Sequence, residues 1–548
     1  MNSDCDLESL ESLEPLDDWD TSSDNYDGLS SSDEFIARLK WTISRKTMKT
    51  VAFLQLNEGM EVSLIQACLR RAYVINCSAS VSSLPHEILS LIFQGLYYHF
   101  LNEEYDEDYN TRPRPEVVVS HVCRFWRDVS LSVPSLWAMI ELHSTSRHLE
   151  ARKAVQPERV REYLARSRNH LLDISVELHG SAAQQANALN LVIPHVDRWE
   201  TLHVGLGEIF AMGTIASLLS SLSAPRLTNL TIIPQLDRTE ERGFEYLPSP
   251  QIFTEGAPEL SVVRLFSLAM MGLQPPLSNV TTLVLCKLPQ YRWPPSIEVG
   301  WHMVKPVLSS PNLENLALSG YWFDPPHNAE PAQLLMPKLC HLHFDEFQET
   351  DLFWLLWNFN APKLESLTFK HIAFEITDDD DDDLIPEVNV FASLRTLIFN
   401  ECKPRPSLVP YISQLCPSTT HLAIVSSWGG QGSFKDFVDP EKEPIPWLKL
   451  NTITIDFYDS SSHTECDSLE ELLIWLLNRK ERNIGVKVLR TRKRYGSLAQ
   501  RDKVESELIQ QLGGVVGRIE NFSRKGFMLW PPYDRGLGEV DKRRYVRV

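Results

Sequence analysis

The chain has 548 residues, 43% of them hydrophobic, enough to bury several cores and too apolar for a wholly disordered protein. No uncharged apolar run approaches the ~20 residues that a membrane helix requires, and the nine scattered cysteines form no Cys-x-x-Cys pair for zinc or redox chemistry. The formal net charge of -20 is unevenly spread: residues 1 to 34 hold twelve Asp or Glu and no Lys or Arg, whereas residues 479 to 548 hold eighteen Lys or Arg against eight Asp or Glu. Residues 1–47 are therefore expected to be an acidic disordered arm, followed by a helical lead-in over 48–80. The acidic, serine-rich start does not resemble a targeting leader. With the cysteine usage, this predicts a soluble cytosolic or nuclear protein.

Two short segments come next. In Ser83-Leu84-Pro85-His86-Glu87-Ile88-Leu89-Ser90-Leu91-Ile92-Phe93, Pro85 suits the first helical turn, where its missing N–H costs nothing, and Ser83 is a candidate cap. Leu84, Ile88, Leu89, Ile92 and Phe93 fall on one broad apolar stripe. In Val122-Cys123-Arg124-Phe125-Trp126-Arg127-Asp128-Val129, helical spacing puts Val119, Val122, Cys123, Trp126 and Val129 on a shared face, and Pro134-Ser135-Leu136-Trp137 closes the region.

In this order the segments resemble an F-box of the fungal type, over residues 81–143, with an acidic, proline-rich insertion from Tyr97 to Pro115. The resemblance implies a helical domain that docks a Skp-type adaptor, and through it a cullin, using Leu84, Pro85, Ile88, Leu89, Ile92, Phe93, Val122, Cys123, Trp126, Leu136 and Trp137, divided between adaptor contact and the domain's own core.

Beyond the box the chain repeats itself. Segments of the form apolar-x-x-apolar-x-apolar begin at Leu171, Trp199, Leu227, Leu260, Val280, Leu313, Leu339, Leu364, Leu394, Thr419 and Leu450. Helical stretches at Ile215–Leu222, Asp351–Phe359 and Leu408–Leu415 precede Pro225, Pro362 and Pro417, read as helix-stopping prolines. A unit of helix, proline and Leu-led strand cannot bury its apolar face alone, so copies must stack. The pattern resembles divergent leucine-rich repeats, and the predicted fold class is α/β: a helical F-box, then a solenoid over 157–465 with parallel strands on its concave side and helices on its convex side. Residues 466–548 are expected to add a final repeat or cap and a basic tail, with helices at Ser468–Arg479 and Val504–Leu512 and a strand at Ile484–Leu489.

Strand alternation then predicts a substrate face. With Leu342 and Phe344 turned inward, His341, His343 and Asp345 point outward; Ser366, Thr368 and Lys370, and Thr454 and Asp456, follow the same rule. His341, His343 and Asp345 have a spacing compatible with a metal, but they read better as outward residues of one strand, and no metal or cofactor is predicted. The six carboxylates Asp378–Asp383 read as an exposed loop rather than a calcium site, since they lack a shaped loop's glycine and spaced ligands. No phosphate-binding loop, nucleophile elbow or His-Glu-x-x-His helix is present in the sequence, Gly429-Gly430-Gln431-Gly432 does not lie between a convincing strand and helix, and no enzyme activity is expected.

The resemblance implies a substrate-recognition subunit of a Skp-cullin-F-box ubiquitin ligase, its solenoid holding a protein target. Two alternatives are a scaffold that acts outside ubiquitination and a nucleic-acid-associated protein using the basic end, where Arg490-Thr491-Arg492-Lys493-Arg494 resembles a nuclear import signal.

Overall fold

A computed structural model describes residues 84–102, 114–143, 157–178, 182–206, 212–234, 251–266, 269–286, 299–320, 323–324, 334–372, 390–402, 408–426, 446–457, 464–491 and 501–521, with isolated positions between 63 and 71. The acidic arm, Asp378–Asp383, Gly429–Gly432, Arg492–Arg494 and the end of the basic tail lie outside them. The chain divides into two units, residues 1–84 and 85–548. In the first, Ser63, Gln66, Ala67, Arg70 and Arg71 are helical, within the expected lead-in.

The second unit opens with α1 (His86–Asn102), α2 (Pro115–Val122) and α3 (Arg124–Ser132), then a 3-10 turn at Pro134–Trp137. Two readings of this region change. The insertion begins later than Tyr97, because α1 runs on to Asn102 and Tyr97 is buried. The second segment is two helices rather than one. Cys123 adopts an extended conformation that ends α2, and its sulfur accepts the Trp126 backbone N–H at 3.4 Å to cap α3. Val119 and Val129 are buried while Val122 is exposed, so the five residues do not share a face.

The turn feeds directly into a parallel sheet of fourteen strands whose spatial order is their chain order. These are β1 (Met139–His143), β2 (Leu172–Leu178), β3 (Trp199–Leu206), β4 (Asn229–Pro234), β5 (Val262–Phe266), β6 (Thr282–Cys286), β7 (Asn315–Ser319), β8 (His341–Asp345), β9 (Ser366–Lys370), β10 (Thr396–Asn400), β11 (His421–Ser426), β12 (Thr452–Phe457), β13 (Val488–Thr491) and β14 (Arg518–Asn521). All eleven repeat segments, from the one at Leu171 to the one at Leu450, lead into strands, β2 to β12. The sheet also extends past the expected 157–465 at both ends. Such a one-dimensional array is a solenoid-like α/β fold, each strand stabilised mainly by its neighbours.

Alternation builds the core. Leu316, Leu342, Leu367, Leu397, Leu422 and Ile453 align in one column, and Leu318, Phe344, Phe369, Phe399, Ile424 and Ile455 in the next, all turned inward. Phe369 lies 6.3 Å from Phe344 and 5.3 Å from Phe399, centroid to centroid, so aromatic contacts reinforce the ladder.

The prolines have a more specific role than stopping helices. In Ala224-Pro225-Arg226-Leu227 the Leu227 N–H donates to the Ala224 carbonyl at 3.2 Å, and the same bond closes Ala257–Leu260, Met336–Leu339, Ala361–Leu364 and Cys416–Thr419. Proline is the second residue of each turn, where its fixed φ is already correct. The turn aims the leading Leu into the core two residues before its strand starts. The strand expected at Ile484–Leu489 begins later, at Val488, because the helix Thr464–Glu481 ends in a Schellman-type cap. Asn483 is left-handed at φ 61°, and the N–H groups of Asn483 and Ile484 donate to the carbonyls of Lys480 and Arg479.

Candidate protein interface on the N-terminal helices

Helix geometry sorts the box residues by face. Along α1, Leu89, Phe93 and Tyr97 are one turn apart and buried; Ile88, Leu91, Ile92 and Leu96 occupy the neighbouring stripe and are exposed. Tyr98 on α1, Val118 and Val122 on α2, and Phe125 on α3 are exposed as well, and these eight side chains retain 38 to 63% of their accessible surface. Eight of the thirteen exposed large hydrophobic residues among those described thus lie on three short helices, a concentration expected of an interaction surface rather than of scattered surface apolars. Side-chain contacts pin the helices together: Phe93 meets Trp126 with centroids 5.0 Å apart, His86 Nε2 lies 2.7 Å from Ser132 Oγ, and Gln94 donates to Ser135 Oγ at 3.1 Å.

Of the eleven residues expected to serve the adaptor, Pro85, Ile88, Ile92 and Val122 are exposed, and Leu84, Cys123 and Trp126 are half-buried. Leu89, Phe93, Leu136 and Trp137 are at most 1% exposed and belong to the protein's own core. Leu91, Leu96, Tyr98, Val118 and Phe125 were not anticipated. Reading α1 as two adjacent stripes, rather than one broad one, would have separated Leu91 and Leu96 from the buried residues.

A polar junction joins these helices to the sheet. Tyr163 of α4 (Pro157–Arg166) donates its hydroxyl to the buried Glu116 at 3.0 Å, while Arg114 pairs with Glu141 of β1 and lies 3.7 Å from Glu116. Burial raises Glu116 above the ordinary carboxylate range, with Arg114 opposing, and burial also keeps Tyr97 neutral nearby. Trp137 donates its indole N–H to the Ser130 carbonyl at 2.9 Å, meets Tyr163 edge to face at 5.1 Å and carries the Arg166 guanidinium 4.5 Å above its ring. It also leads β1: Trp137-x-x-Ile140-x-Leu142 has the repeat's own spacing, with Ile140 and Leu142 buried.

The strand face differs from its expected character. Half-buried and buried residues alternate along His341–Asp345 as predicted, and Lys370 is half-buried, but Ser366, Thr368, Thr454 and Asp456 are at most 5% exposed. Those four side chains are enclosed between their neighbours and do not present a surface. His421 joins this face, its Nε2 lying 2.8 Å from Thr454 Oγ1. Burial, assisted by the charge of Arg490, lowers His421 from its ordinary 6.5 to about 4. Because the folded value is the lower one, the neutral ring contributes stability above pH 6.5 that is lost as pH falls toward 4. Chemical denaturation at pH 7 and pH 4.5 should show that His421→Gln removes about 2 kcal/mol of the acid-induced loss, after allowance for partial exposure; equal losses in both proteins would refute it.

At the C-terminal ends of the strands, Asp345 meets Lys370 Nζ at 2.9 Å and His371 Nδ1 at 2.8 Å, and His371 Nε2 is hydrogen-bonded to Glu401. Hydrogen bonds donated by the ring to the Asp345 and Glu401 carboxylates raise His371 to about 9. Burial pushes Asp345 up, but His371 and Lys370 outweigh it and hold the carboxyl well below its usual range. Among the described residues, the ligating atoms that converge are those of Asp345, Glu346 and His371, all within 4.8 Å of one another, rather than those of His341, His343 and Asp345.

The basic end is partly structural. Arg479 is buried, donating to the carbonyls of Pro446 and Trp447 at 2.8 and 2.9 Å, and burial lowers it to about 10. Arg490 lies in β13 and pairs with Glu520 at 3.0 Å, and Arg518 pairs with the same carboxylate at 2.7 Å. No described helix is long and apolar enough to cross a membrane.

Fold and surface define an α/β protein with a long sequential parallel sheet and an apolar-faced helical group at its N-terminal end. No protein-family model matches the chain, and no curated protein is found to be similar to it.

Proposed function

We propose that the chain is the substrate-recognition subunit of a Skp-cullin-F-box ubiquitin ligase. The observation that carries this reading is the exposed apolar face of α1 to α3, formed by the same segments whose order resembles an F-box. An adaptor helix covering that face would remove Ile88, Ile92 and Val122 from water, a driving force of about 25 cal/mol per Å² of apolar surface. The sheet, read as divergent leucine-rich repeats, would hold a protein target. Ubiquitin transfer would then be accelerated by proximity, with other subunits performing the chemistry. The protein would work in the cytosol or nucleus.

The nucleic-acid reading is less favoured, because Arg479, Arg490 and Arg518 already have partners within the protein. The deciding experiment is capture of purified Skp-type adaptor, with and without its cullin, on the immobilised full chain. Saturable one-to-one binding of the adaptor, with recruitment of the cullin only in its presence, supports the assignment. Absence of adaptor binding refutes it and leaves an interaction scaffold.

A further inference from the structure

Four successive strands end in the same backbone corner. The residue after β7, β8, β9 and β10 is left-handed: Gly320 at φ 75°, Glu346 at 59°, His371 at 49° and Glu401 at 54°. Each donates its N–H to the carbonyl of the last paired residue of the next strand, Asp345, Lys370, Asn400 and Val425 in turn, at 2.6 to 3.0 Å. Glycine adopts this conformation freely, whereas a residue with a β-carbon pays about 1 to 2 kcal/mol for it. Only the first corner uses glycine; the next three carry two carboxylates and an imidazole. Neighbouring strands lie about 4.8 Å apart, so side chains on successive corners come within reach of one another.

The result is a set of ligating atoms with a second layer already in place. Glu346 is exposed, Asp345 and His371 are half-buried, and the group is open to solvent. Glu401 holds Nε2 of His371, leaving Nδ1 directed at Asp345 Oδ1. A metal-bound histidine characteristically donates its other N–H to a carboxylate in this way.

We propose that this corner binds a divalent transition-metal ion of the zinc class through Asp345 Oδ1, His371 Nδ1 and a carboxylate oxygen of Glu346, with Glu401 orienting the imidazole and water completing the coordination. The ion takes the place of a proton on His371, which leaves to solvent. Three carboxylates, Lys370 and the dication then balance in charge. Tetrahedral zinc with ligands at about 2.0 to 2.1 Å keeps them roughly 3.3 Å apart, so the 2.8 Å between Nδ1 and Oδ1 must open by only about half an ångström. An imidazole in the set favours zinc over magnesium or calcium.

The test is calorimetric titration of Zn²⁺ alone into the chelator-treated full chain, beside Glu346→Gln, His371→Gln and Glu401→Gln, each first shown to keep the wild-type thermal midpoint in chelator. Wild type should bind one equivalent more than His371→Gln. Glu346→Gln should weaken that equivalent by about a hundredfold, and Glu401→Gln by about tenfold, as an orienting partner does. Identical stoichiometry and affinity in wild type and all three variants would overturn the proposal. So would the absence of any binding at millimolar zinc. Should His371→Gln alone prove unstable, Glu346→Gln carries the test, because its side chain is exposed and shows no hydrogen bond or ion pair among the described residues.

Discussion

A variant carrying Ile88→Glu, Ile92→Glu and Val122→Glu should lose adaptor capture while melting at the wild-type temperature. All three side chains are exposed, so each substitution should change stability by no more than about 0.5 kcal/mol. Docking would force three unpaired carboxylates into an apolar contact, a penalty comparable to the loss of an interface hot spot. Capture should fall by at least about a hundredfold, roughly 2.7 kcal/mol. Undiminished capture by this variant, with its thermal midpoint intact, would remove α1 to α3 as the adaptor site. Leu91→Glu, on the exposed stripe but outside the expected set, should also impair binding, and so tests the face rather than the motif.

Trp137→Ala should cost about 3 to 5 kcal/mol, a large part of the stability of a typical domain. The indole is 1% exposed, satisfies the Ser130 carbonyl, meets Tyr163 and supports Arg166, and its removal opens a cavity where α3, α4 and β1 meet. Trp137 also fills the position that a leucine holds in later repeats, so the helices and the first strand should destabilise together. Urea unfolding followed by helix content and by tryptophan fluorescence should give one earlier transition, not two. If the variant kept its stability and lost only adaptor capture, Trp137 would be a contact residue and its assignment to the core would be wrong.

These predictions divide residues that the linear motif groups together. Leu89 and Ile88 are adjacent in sequence and both apolar, yet one is sealed in the core and the other exposed. One helical step of about 100° separates them, and which stripe faces inward depends on where α2 and α3 pack. The break at Cys123 was equally hidden, since Val122 to Val129 reads as a continuous helix until the cysteine is seen extended and capping Trp126.

The repeating strands were legible by sequence alone because their pattern is local: an apolar lead, then alternation within six residues, recurs eleven times and is met by strands β2 to β12. β1 escaped because Trp137, the last residue of one motif, is also the lead of the next. The alternation along His341–Asp345 was likewise readable, but the burial of Ser366, Thr368, Thr454 and Asp456 was not, because exposure depends on neighbours in other repeats. The cluster of Glu346, His371 and Glu401 lay furthest from view. These residues are 25 and 30 positions apart and meet only because three strands stack in register and end in the same left-handed corner. Periodicity within a few residues determined the elements and their inward sides; contacts between distant repeats decided which polar groups are enclosed, which apolar ones remain exposed and which charges converge.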